Sequence, residues 1–309
     1  MDDWLSIVIR FASYVDFLLL LGVPLFKLMN WTQLSSPSER GLNTRQIVLW
    51  AAGAGLLISM ASMLVLAKAM SGVSQFNELG QHVFEMILTG TDVGVAWVIR
   101  VLALAVIVIV AIAVRQPKIP SHGVFAALAA IALATVAWSG HGAMDEGARR
   151  YPHLIADILH LFAAAVWVGA LAAFAKLLRQ AKSPSFDRLV VLSRALGSFA
   201  TVGTLIVVTL VITGAVNYWL TAGFSLAPLV SSQYGLLLSA KLFLFIAMLG
   251  LAAGNRYHLT PKLERSIKYG DTAAAVKALR HSLILELGAA LLILLLVAFL
   301  GVLSPSGET

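Results

Sequence analysis

Three side chains in one apolar stretch, His153, Asp157 and His160, fall at i, i+4 and i+7. On a helix that spacing puts them on one face. An imidazole that ligates a metal is usually oriented through its second nitrogen, and an aspartate one turn away suits that task. His141 closes the preceding apolar run in WSGHGAMDEG, and the connection to the next run is short. The two helix ends should therefore lie close, so that His141 and His160 can meet, with the Met144 thioether beside them. Taken singly, His141 and His153 read equally well as interfacial caps. Asp157 and His160 differ, because an ionisable pair at a membrane is costly unless it is paired and faces inward.

The chain has no cysteine, which excludes disulfides, thiolate metal sites and thiol redox chemistry. A soft-metal site must use methionine or histidine. Met60, Met63 and Met70 stand at i, i+3 and i+10, roughly along one helix face, and thioethers suit Cu(I). Methionine is also an ordinary apolar filler, and packing is the stronger reading for this ladder. Asp16 and Glu286 lie deep within apolar runs, where they offer either a proton or cation path or a structural ion pair. Arg10, Arg100, Asn217 and Lys241 also interrupt such runs, and Arg100 and Lys241, near run ends, read as snorkelling. His82 reads as a surface residue, and His122, His258 and His281 adjoin basic stretches and read as solvated.

The elements that must position these residues follow from composition. Of 309 residues 60% are hydrophobic and 12% charged, and the mean hydropathy is +0.90. A soluble domain carries about 25% charged residues, so the bilayer is the solvent. Apolar runs cover about 5–27, 47–69, 94–114, 123–140, 154–175, 196–220, 235–255 and 282–303. Each is long enough to cross about 30 Å of hydrocarbon as a helix. The expected fold is an all-α integral membrane protein, a bundle of about eight transmembrane helices forming a single polytopic membrane domain over 1–309. The amino terminus opens with two acids and lacks a small-residue cleavage site, and reads as a retained first helix. The net charge of +7 and pI of about 9.8 do not point to nucleic acid, because the basic residues sit in connections between apolar runs. Most of them fall on odd-numbered connections, which makes those cytoplasmic and both termini periplasmic. FNELGQHVFEMIL reads as a surface amphipathic helix, and KLERSIKYGDTAAAVKALRHS as one basic amphipathic helix that meets membrane lipid. Gly22 with Pro24, and Gly53 with Gly55, mark bends or close helix contacts.

The segment ADILHLFAAAVWVGAL, preceded by SGHGA, resembles the bacterial copper-resistance protein D family, CopD and PcoD. TGTDVGVAWVIR, YGLLLSAKLFLF, GNRYHLTPKL and the final ELG extend the likeness over nearly the whole chain. The resemblance implies an inner-membrane protein that takes copper, as Cu(I) or Cu(II), from a periplasmic copper-binding protein of the CopC type. It carries His141, Asp157 and His160 as functional residues, with Trp167 and Gly169 as packing parts. Ala170 departs from the family's second glycine. The histidines also admit an enzyme-class reading, a haem or quinone redox protein, in which His141 and His160 are the axial pair of a b-type haem. A third reading is a scaffold for a periplasmic copper chaperone that moves no metal.

Overall fold

The computed structural model describes residues 2–30, 43–114, 119–140, 147–179 and 186–303. All regular structure among them is helical. Hydrocarbon explains this, because an unpaired backbone group there costs several kcal/mol and a helix pairs nearly all of its own. Among the described residues eight helices are long and apolar enough to span: α1 (Asp2–Met29), α2 (Thr44–Ser71), α4 (Asp92–Ala113), α5 (Ile119–Ala134, carried on by a 3-10 turn to Ser139), α6 (Arg150–Arg179), α7 (Phe186–Ala222), α9 (Gln233–Gly254) and α11 (Ala273–Leu300). Shorter helices are α3 (Gln81–Gly90), α8 (Pro228–Ser231) and α10 (Thr260–Tyr269). Side chains cap several starts: Asn43 accepts from the Gln46 amide at 3.2 Å, and Thr91 and Ser232 accept from Gly94 and Gly235 at 3.0 Å.

Helix α1 is the hub, packing on α2, α5, α6 and α11. Phe17, Leu18, Leu20, Leu21 and Phe26 are buried along it, and Phe26 meets Phe174 of α6 edge to face at 5.0 Å. The closest approach is backbone on backbone. A Cβ at Gly169 would stand 2.3 Å from the Gly22 carbonyl carbon, and one at Gly22 would stand 2.1 Å from the Ala165 carbonyl oxygen. Gly22 thus marks a close contact. Gly55 is another such position, since a Cβ there would reach Asp16 Oδ2 at 2.8 Å, whereas Gly53 faces open space. Ala170 is fully buried. Trp4 and Phe299 pack ring to ring at 5.5 Å, so both chain ends lie at one end of the bundle, here the terminal end.

Several expectations need correction. The last long stretch is not one basic helix, because Gly270 at φ 91° ends α10 and α11 begins at Ala273. Helix α3 does not lie free on the surface: Val83 and Ile87 bury against Met63 and Ala67 of α2. Arg100 does not snorkel. It is buried, donates to the Thr135 hydroxyl (2.8 Å) and carbonyl (3.0 Å), and lies over the Phe17 ring. His122 is buried rather than solvated, while His82, His258 and His281 are exposed as expected.

Replacing Gly169 by leucine forces side-chain atoms into the α1 backbone, and overpacking of that kind costs about 3 kcal/mol. Gly53→Ala should be neutral. Thermal unfolding of the detergent-purified protein should therefore show a large loss of midpoint for Gly169→Leu and none for Gly53→Ala.

Candidate functional site

On α6 the residues His153, Asp157, His160, Ala164, Trp167 and Leu171 recur every three or four positions. At 3.6 residues per turn, His160 lies about 180° around the helix from Gly169. The face carrying the histidines therefore lies opposite the Gly22 contact, although Arg10, Tyr14 and Leu18 of α1 still line the first of three cavities that follow one another along it. The first, about 240 Å³ at the terminal end, is lined by His153, Asp157, His160 and Ala164. A second, about 370 Å³ and mostly apolar, takes in His160, Ala164 and Trp167 and is closed by α7, α9 and α11. The third, about 260 Å³ toward the opposite end, is lined by Trp167 and Leu171 with Asn255, Thr260 and Glu286.

In the first cavity, His160 Nδ1 lies 2.9 Å from the Thr213 hydroxyl on α7. That hydroxyl donates to the Thr209 carbonyl at 2.6 Å, so toward the imidazole it can only accept. In the neutral ring Nδ1 then carries the proton and Nε2 carries the lone pair that a metal ion needs. The group that orients His160 is Thr213, not a carboxylate. The Asp157 carboxylate instead receives the Asn217 amide at 2.7 Å. Lys241 lines the same cavity and does not snorkel to the membrane surface as the sequence suggested. Arg10 completes the wall, donating to the Ser139 carbonyl at 3.1 Å.

His153 is buried, and Asp157 and His160 are half-buried. Although they share one face, among the described residues no three His, Asp or Glu side chains converge to hold one metal ion. A rise of about 1.5 Å per residue separates His153 from His160 by about 10 Å along the axis. Further donors must therefore come from another element. His141 and Met144 lie outside the described residues. Gly140, just before them, is close: a Cβ there would stand 3.7 Å from Asp157 Oδ2.

The other sequence candidates are scattered. Met63 is buried against α3, while Met60 and Met70 are exposed, so the three do not share one environment. Met63 does line a separate cavity of about 420 Å³ among α1, α2, α4 and α5. Asp16 sits against Gly55, and its Oδ2 is buried with no hydrogen-bond partner among the described residues. Glu286 is buried at 2% exposure and accepts from Asn255, with the Trp167 indole as its other side-chain partner. It forms no ion pair with a described cation. Thr213 gave no signal in the sequence, since threonines are common in apolar runs. Asn217 did signal itself as a lone amide in one.

Comparison with known proteins adds the following. The family model described as Copper resistance protein D-like, N-terminal domain, matches residues 1–151, and that described as Copper resistance protein D matches residues 193–300. Copper resistance protein D of Pseudomonas syringae pv. tomato is 45% identical over 309 residues, covering 100% of this chain and 99% of that protein. Inner membrane protein YebZ of Escherichia coli (strain K12) is 25% identical over 302 residues, covering 97% and 98%. No solved structure matches.

Nitrogen-15 spectra of the imidazoles should show His160 as the Nδ1–H tautomer. Thr213→Val removes the acceptor and should return the ring to a mixture of tautomers, while Thr213→Ser keeps the wild-type signal. A wild-type tautomer in the valine variant would show that Thr213 does not orient the ring.

Proposed function

The chain belongs to the copper resistance protein D family, a multi-pass protein of the inner membrane, and on that premise we propose that it receives copper at the terminal end and passes it along α6. The observation that carries this reading is the single α6 face that lines all three cavities in succession. His160 offers Nε2, Asp157 a carboxylate and His153 a second imidazole. His141 and Met144, from the connection before α6, supply the donors that α6 alone cannot bring to one point. Imidazole and carboxylate suit Cu(II), and thioether with imidazole suits Cu(I), so this set accepts either state. The terminal end is then periplasmic, because most lysines and arginines lie in connections at the other end. A periplasmic copper-binding protein of the CopC type would deliver the ion there.

Asp157 is the anionic donor of the site on this reading. With the site empty the Asn217 amide holds its charge, and Lys241 lines the same cavity. Beyond His160 the route enters the apolar second cavity and meets Trp167, which packs edge to face on Phe245 at 6.2 Å. The third cavity with Glu286 follows. Met60, Met63, Met70 and Asp16 stand away from this face, so the proposed route does not use them.

Copper bound per mole of purified protein, and copper accumulated by cells expressing it, should both fall at least about tenfold in His160→Ala, the usual scale for losing a ligand or its orienting partner. Met60→Leu should change neither. Accumulation in the His160→Ala cells equal to wild type would sink the site.

A further inference from the structure

The third cavity holds a donor set unlike that of the first. Its oxygen donors include the Glu286 carboxylate, the Asn255 amide and the hydroxyls of Thr204 and Thr260, with no histidine or methionine among the residues that line it. Asn255 is 7% exposed and Glu286 2%. The Asn255 Nδ2 donates to Glu286 Oε1, but the amide's own Oδ1 is buried with no hydrogen-bond partner among the described residues. Leaving such an acceptor unmet is costly, so the site favours a group that meets it. The amide is also presented by an unusual backbone. Asn255 opens a single π turn, Asn255–Leu259, between α9 and α10, a distortion found mostly where a helix is bent to serve a site.

Among the described residues Glu286 makes no ion pair. The other titratable groups lining this cavity are Arg256 and Tyr257. Arg256 is held on the α7 side of the cavity, where it donates to the Ala200 carbonyl at 3.1 Å and the Thr204 hydroxyl at 2.6 Å and lies over the Tyr257 ring. One buried carboxylate, one unmet amide oxygen and flanking hydroxyls form a set of hard oxygen donors. A lone carboxylate in a low-dielectric site is balanced by a single positive charge.

We propose that this cavity binds a hard monovalent cation, a proton or a sodium ion, held between the Glu286 carboxylate and the Asn255 amide oxygen. The proposal does not rest on copper transfer, since none of its residues belongs to the histidine site and its test contains no copper.

The test is infrared difference spectroscopy of the detergent-purified full chain, with sodium exchanged for choline at fixed pH, and pH stepped in choline without sodium. Wild type should show a carboxyl band responding to at least one exchange, and that band should be absent from Glu286→Gln. A response to sodium at fixed pH identifies the sodium ion. A response to pH that sodium leaves unmoved identifies the proton. Asn255→Leu removes the amide oxygen and should shift the half-saturation point about tenfold, the scale of one hydrogen bond lost. Spectra of Glu286→Gln that superimpose on wild type in both exchanges would overturn the proposal. If that variant does not fold, Asn255→Leu decides, and an unshifted half-saturation point would overturn it equally.

Discussion

The contact of Gly22 with Gly169 fixes the position of the helix that carries everything else. Lipid chains are as apolar as leucine, so helices in a bilayer gain little by hiding apolar surface from one another, and close backbone approach takes over as the source of association. Here α1 and α6 approach until no Cβ fits on either side. Phe26 against Phe174 and the buried run Phe17, Leu18, Leu20 and Leu21 extend that seam along α1. Once α6 is held by this edge, the opposite edge faces α7, α9 and α11. That is where His160 and Trp167 stand, and His153 and Asp157 share a cavity that Arg10, Tyr14 and Leu18 of α1 also line. Small residues on one side of α6 and chemically capable residues on the other are two halves of one arrangement.

A second constraint comes from the polar groups inside the spans. Unpaired they would each cost several kcal/mol, yet few are met by an opposite charge. Arg100 bonds Thr135, His160 bonds Thr213, Asp157 takes Asn217 and Glu286 takes Asn255. The Arg150–Asp92 ion pair lies at the more exposed helix ends. Hydroxyls and amides stabilise a charge without cancelling it. A carboxylate held by an amide keeps its attraction for a cation, whereas one locked to an arginine would have lost most of it. The choice of neutral partners at Asp157 and Glu286 therefore leaves both groups available for ligands.

The helical bundle and its eight spans were legible in the sequence because apolar runs of spanning length admit few alternatives. Their ends were less so. Helix α7 begins ten residues before the apolar run suggested, at 186 and not 196, because polar residues beyond the hydrocarbon can continue a helix that packing already supports. The i, i+4, i+7 pattern found the right face of α6, since helical periodicity alone sets that. What the sequence hid was every partner from another helix. Thr213 lies 53 residues from His160, and Asn217 60 from Asp157, and no local pattern links such pairs. Arg100 and Lys241 were misread for the same reason, since position along a span does not say which way it faces.

The order of the cavities along α6 separates binding from crossing. At the terminal end imidazole and carboxylate can replace water around an ion, and at the other end the oxygens of Glu286 and Asn255 can do so again. Between them the lining is Ala164, Val168, Leu210, Phe245 and similar groups, with Trp167 shared by the second and third cavities. His160 and Lys241 also line the cavity, but the rest of its wall carries no charged group, so on the proposed route a charged species crosses that apolar stretch in one step. Substitutions at either end then act on occupancy, while those at Trp167 and Phe245 act on the rate of passage. Helix α9 closes the middle cavity and is the least buried of the described spans.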